Sequence, residues 1–232
     1  MDLFWEGLVQ AVNLLLSGDP EIIQVTLLSL SVSGLATLIS VIIGVPLGVF
    51  LALSGFWGRS LAIGAINTGM GLPPTVVGLV VSIMLWRSGP LGFLGLMYTP
   101  TALVIAQAII AFPLVTGFTM AGVQQLNPNL RLQILAMGAS RIQLWWLLLR
   151  EARLSLLAAV IAGFGGVLSE VGASMMVGGN IRGSTRVLTT SIVMEVSKGQ
   201  FALAMALSII LLALAFAITM ALTKIQQRGG NR

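Results

Sequence analysis

The charges in this chain are too sparse to interrupt it. Residues 22–58 carry none over 37 positions, 60–86 none over 27, 88–130 none over 43, and 199–223 none over 25. Between 154 and 181 the only charge is Glu170. A bilayer core needs about 20 apolar residues per helix, so these runs predict five spans, near 22–53, 60–85, 99–123, 154–178 and 200–223. The first run is too long for one straight span and too short for two with a turn; it reads as one tilted helix with an interfacial extension. Composition closes the soluble alternative. Hydrophobic residues make up 57% and charged residues 8%, against about 25% charged in a soluble domain. The expected class is all-α, a polytopic membrane helix bundle in one domain over 1–232.

Ahead of the first span, Asp2, Glu6, Gln10, Asn13 and Ser17 recur every three to four residues, while Trp5, Leu8, Val12, Leu15 and Leu16 fill the other side. That pattern predicts an amphipathic helix lying in the interface. No Lys or Arg precedes it, so it does not read as a signal peptide. Asp19-Pro20-Glu21 then forms a helix start, with Asp as N-cap and Pro at the first helical position. With the N-terminus outside, the inner side collects Arg59, Arg131, Arg141, Arg150, Arg153, Lys224, Arg228 and Arg232; the outer side has Arg87, Arg182, Arg186 and Lys198. Positive residues prefer the cytoplasm, which favours N-out and C-in in a cell inner membrane crossed several times.

Four stretches depart from a plain bundle. Asn127-Pro128 predicts a helix start, Gly138 a left-handed helix end, and Ser140-x-x-Gln143 a capping box opening a second helix. This helix–glycine–helix on the basic side reads either as an ordinary loop or as a docking knob; Trp145 and Trp146 read as belt residues at the inner interface. Gly69-Met70-Gly71-Leu72-Pro73-Pro74 predicts a break inside the second span, because two adjacent prolines remove two backbone donors. Phe112-Pro113 predicts a similar break in the third. Such backbone survives at membrane depth only where protein or a wet cavity surrounds it, so the pair of breaks, with Thr75 beside the first, points to a pathway. Glu170 reads as an intramembrane acid, either functional or held by neighbouring backbone or by Arg182 or Arg186. Gly178-Gly179-Asn180 through Thr185-Arg186 reads as a donor-rich, cationic loop suited to an anion or, more plainly, as a charged outer loop.

The exclusions are equally informative. The chain has no Cys and no His, which removes thiolate chemistry, the usual general base and the commonest metal ligands. It has no G-x-x-x-x-G-K-[ST], no H-E-x-x-H and no G-x-S-x-G. No enzyme is expected, no metal site and no nucleic-acid partner. A passive anion channel or small carrier remains the alternative to a pumped pathway.

The run Ala136-Met137-Gly138-Ala139-Ser140 resembles the core of the coupling loop of ABC-importer permeases, here over about 126–153. Glu170-Val171-Gly172-Ala173, Val177 to Ile181 and Thr185-Arg186-Val187-Leu188-Thr189-Thr190 resemble the tungstate-type branch of the molybdate/tungstate permeases, as do Leu72 to Gly78 and Ser88 to Gly92. The resemblance implies a type I ABC-importer permease fold, a homodimer, two cytoplasmic ABC ATPase subunits that use ATP and Mg, and an external oxyanion-binding protein. It implies tungstate as substrate, with molybdate or sulfate as alternatives. It assigns coupling to Ala136, Gly138, Ala139 and Ser140. The pathway or its mouth falls to Pro73, Pro74, Thr75, Glu170, Gly178, Gly179, Asn180, Arg182, Thr185 and Arg186. The chain departs from the family's coupling motif where that has Glu-Ala-Ala and a closing Leu-Pro: here stand Leu132, Gln133 and Ile134, then Arg150 and Glu151.

Overall fold

A computed structural model describes residues 2–230; the side chains of Asp2, Leu3, Phe4, Leu15 and Arg228, and all of Met1, Asn231 and Arg232, lie outside the described residues. The described chain is helical with short connections: α1 (Asp2–Ser17), α2 (Pro20–Leu53), α3 (Arg59–Met70), α4 (Pro74–Leu85), α5 (Pro100–Gln124), α6 (Pro128–Ala136), α7 (Arg141–Glu151), α8 (Arg153–Leu168), α9 (Gly172–Gly178), α10 (Leu188–Ser197) and α11 (Phe201–Gly230). Three helices, α2, α5 and α11, are each long and apolar enough to cross a membrane. Two bent pairs, α3 with α4 at 103° and α7 with α8 at 73°, bring the number of spans to five if each counts as one.

The first long run is one helix, as its length required. Asp19 accepts from the backbone N–H of Glu21 at 2.8 Å and of Ile22 at 3.3 Å, with Pro20 at the first helical position. The 34 residues of α2 rise about 50 Å at 1.5 Å each, well beyond a hydrocarbon core of about 30 Å. Its buried face is a stripe of small residues, Ser29, Ser33, Thr37, Ser40, Gly44 and Gly48, laid against α5. A Cβ on Gly48 would stand 2.7 Å from the Thr116 carbonyl, and one on Gly44 2.8 Å from its hydroxyl. Between membrane helices there is little hydrophobic drive, so close backbone approach through small residues supplies the packing.

Two expectations about spans are corrected. Phe112-Pro113 does not break the third span: α5 runs unbroken from Pro100 to Gln124 with Pro113 inside it. A single proline removes one ladder bond, and neighbouring groups in a membrane bundle make up that loss. Pro113 is buried, its ring packed beside Gly69 of α3. The expected span 154–178 is in fact two helices: α8 stops at Leu168 and α9 starts at Gly172, so Glu170 sits in the break and not within a helix. A further short helix, α10, lies between the last two expected spans. It packs on α11, as does α1, whose Ala11 is buried with Leu188, Ala206, Leu207 and Ile210.

Candidate functional site

The two broken spans meet. A Cβ on Gly172, the first residue of α9, would stand 2.6 Å from Thr75 Cγ2 near the start of α4, and one on Gly78 would stand 2.6 Å from the Ala173 Cα. Val77, Val81 and Leu85 of α4 continue the contact with Ala173 and Val177 of α9 in one apolar cluster. The half-helices therefore run in the same direction, with their N-terminal ends side by side. Aligned peptide dipoles place partial positive charge at those ends. Beside the α3–α4 break lies a cavity of about 590 Å³, walled among others by Gly69, Pro73, Pro74, Ile110, Phe112 and Gly166. Its side chains are apolar, so polar character there comes from the freed backbone of the break. Thr75 is not among its walls and turns instead to Gly172.

Glu170 takes the α9 end for itself. Its Oε1 accepts from the Ala173 N–H at 2.9 Å, and its main-chain carbonyl accepts from the Thr189 hydroxyl at 2.9 Å. Of the two readings the sequence left open, the geometry has the acid bound to neighbouring backbone. The arginines do not reach it. Arg182 and Arg186 both pair with Glu21 at the start of α2, Arg186 Nη1 at 3.0 Å from Glu21 Oε1. Two guanidinium groups share one carboxylate, so the three side chains together keep a net positive charge at this end.

The glycine-rich loop is a closed turn. Gly179 and Asn180 have positive φ, 67° and 52°. The buried Thr185 hydroxyl donates to the Gly178 carbonyl and accepts from the Ile181 N–H at 3.0 Å. The amides of Ser184, Thr185 and Arg186 all reach the Ile181 carbonyl, so they are not available as an anion nest. Thr190 Oγ1 lies 3.0 Å from Asn180 Oδ1, and the Leu188 N–H donates to Ser29 Oγ on α2 at 2.8 Å. The loop thus fastens α9, α10 and α2 together.

At the far end of α2 stands the helix–glycine–helix. Asn127 Oδ1 accepts from the Asn129 N–H, Gly138 turns at φ 80°, and Ser140 with Gln143 forms the capping box. Ile134, Leu144 and Leu148 anchor the hairpin with Leu53 and Leu126, and Arg131 Nη1 donates to the Leu53 carbonyl at 3.1 Å. Ala136, Gly138 and Ser140 are exposed and Ala139 is half-buried. Around them Leu132, Leu135, Met137, Ile142 and Trp146 remain exposed, Met137 at 87% and Ile142 at 83%. Apolar side chains raised on a fixed hairpin suit contact with another surface.

Gln107, a buried amide in the middle of α5, belongs to none of the motifs named above. It meets Ser33 of α2 at 3.1 Å and Ser174 of α9 at 3.4 Å. A scan for charges cannot see it; the four-residue spacing of Ser29, Ser33 and Thr37 was the available signal for a polar seam facing it.

Residues 44–229 match the family of binding-protein-dependent transport system inner membrane components. The chain is 41% identical to the tungstate uptake system permease protein TupB of Peptoclostridium acidaminophilum, over 98% of this chain and 100% of that protein. It is 31% identical to the protein of the same name from Campylobacter jejuni, over 98% and 95% of the two chains. Among solved structures, a chain of the inward-facing MetNI methionine ABC transporter superposes with a TM-score of 0.74 at 19% identity, covering 90% of this chain and 96% of that one. The last likeness speaks for the fold, and the others extend it to sequence along nearly the whole length. The chain belongs to the binding-protein-dependent transport system inner membrane component family.

Proposed function

We propose that this chain is the permease subunit of an ATP-driven importer of a tetrahedral oxyanion, tungstate first, with molybdate or sulfate as the nearest alternatives. The observation that carries the substrate class is the full-length likeness to tungstate permeases, 41% identical over 98% of this chain. A second copy of the chain completes the pathway, an external binding protein delivers the anion, and two cytoplasmic ATPases bind and hydrolyse ATP with Mg. The N-terminus lies outside, the C-terminus inside. In this reading the cavity at the α3–α4 break belongs to the pathway. A bare dianion cannot cross hydrocarbon without donors along its way; the prolines of the break leave carbonyls over, so in this reading the donors are Thr75 and the N-terminal end of α4. The hairpin around Gly138 docks on the ATPase and passes its closure to the spans as rigid-body rocking. A channel without an ATPase would leave the exposed apolar hairpin without a purpose.

The test is ATP-dependent tungstate uptake in cells with and without this chain, with molybdate and sulfate as competitors. Uptake that disappears with the chain and is displaced by molybdate supports the reading. Unchanged uptake in cells with no other tungstate system contradicts it.

A further inference from the structure

Of the four cations at the end where α2 begins, three have a carboxylate. Arg182 and Arg186 share Glu21, and Lys198 pairs with Glu195 at 2.8 Å. Arg87, just past the end of α4, has no acceptor or counter-ion among the described residues. It belongs to this end because α4 and α9 run parallel and their C-terminal ends are tied: the Tyr98 N–H donates to the Val177 carbonyl at 3.0 Å, and the Tyr98 ring lies against Gly179.

Arg87 lines a cleft of about 520 Å³ together with Trp86, Gly92, Gly95, Met97 and Tyr98. No carboxylate lines it. Trp86 and Tyr98 are 49% and 41% exposed and Arg87 is exposed too; the indole N–H and the Tyr98 hydroxyl have no acceptor among the described residues and stay open to a solvated ligand, while the two rings meet edge to face with centroids 6.3 Å apart. Tyr98 holds a left-handed backbone, φ 62°. A bulky residue there is a local strain that the surrounding structure must maintain. Three donors of this kind, one of them a guanidinium without a counter-charge, set in partly apolar walls, match an oxyanion's acceptor oxygens and nothing cationic.

We propose that the Trp86–Arg87–Tyr98 cleft is an anion subsite at the outer end of the bundle, accepting a tetrahedral oxyanion, either free or as a lipid headgroup phosphate. The choice of tungstate as the free probe, and the word outer, rest on the function proposed above; the donor chemistry does not. Arg87 supplies the charge and a fork for two oxygens, and the aromatic pair holds the rim.

The experiment uses the full chain in nanodiscs of phosphatidylcholine, with bound tungsten measured by equilibrium dialysis. Arg87→Gln should weaken tungstate binding by at least about tenfold, the scale of one charge-assisted bond. Arg87→Lys should keep part of the affinity, and Lys224→Gln, an equal change of charge at the far end of α11, should bind as the parent does. A parallel arm adds phosphatidylglycerol. If the occupant is a headgroup, the parent chain enriches phosphatidylglycerol by mass spectrometry, the lipid displaces tungstate, and Arg87→Gln abolishes the enrichment. Binding of both probes that is identical in the parent and Arg87→Gln, or absent from the parent, overturns the subsite. If the intact transporter imports tungstate while Arg87→Gln binds unchanged, the subsite fails and the proposed function stands. If the transporter imports none, the function fails, and the subsite is decided by the phosphatidylglycerol arm and by inorganic phosphate.

Discussion

Gly138 shows what a single residue contributes here. Its backbone sits at φ 80° and a Cβ there would meet nothing within 4 Å, so a side chain at this position is resisted by backbone conformation and not by crowding. Gly138→Val should cost about 1–2 kcal/mol locally, tilt α6 against α7, and cut ATP-driven uptake sharply at equal amounts in the membrane. Gly138→Asn should retain much more, because asparagine tolerates the left-handed region. Equal uptake by the two variants would contradict the coupling role. This turn was legible in the sequence because its determinants are local: Asn127, Pro128, Gly138, Ser140 and Gln143 act within three residues of themselves. Gln107 was not legible, since its partners Ser33 and Ser174 lie 74 and 67 residues away.

Between elements, the decisive contact is α4 against α9, two half-helices that start together and run parallel. Gly78 permits it. Gly78→Leu would drive a side chain into the Ala173 backbone, 2.6 Å from the Cβ position. Overpacking of this kind costs about 1–3 kcal/mol; Gly78→Ala, whose Cβ already makes this contact, should melt several degrees below the parent, and Gly78→Leu no higher than Gly78→Ala. A Gly78→Ala variant that melts with the parent would show that the half-helices are not held as described. The α3–α4 break was readable because adjacent Pro73 and Pro74 remove two donors after a glycine-rich turn. The α8–α9 break was not, for no proline marks it; it rests on Glu170 capping Ala173 and on Thr189 reaching back from α10. Phe112-Pro113 misled in the opposite direction, one proline being too little to part a helix packed on several sides.

Across the whole molecule, the charges sort to two ends. Arg59 Nε donates to the Leu51 carbonyl at 2.9 Å and Arg131 to that of Leu53, at one end of α2, while Glu21 gathers Arg182 and Arg186 at the other. The sequence sorted the cations the same way, but the Glu21 pairings span more than 160 residues and carry no local mark. The chain has no Cys, so introduced thiols can be read without background. An impermeant maleimide should label Ser197→Cys in intact cells and Met137→Cys only after permeabilisation; the reverse pattern would invert the proposed orientation. Transport by the purified assembly decides between a pumped and a passive pathway. The chain would be reconstituted in proteoliposomes with its ATPase and external binding protein, and tungstate uptake measured with and without ATP on the ATPase side. Uptake should require ATP and the binding protein, be displaced by molybdate, and collapse with Gly138→Val. Tungstate entering at the same rate without ATP would contradict the pumped pathway and make the chain a passive conduit.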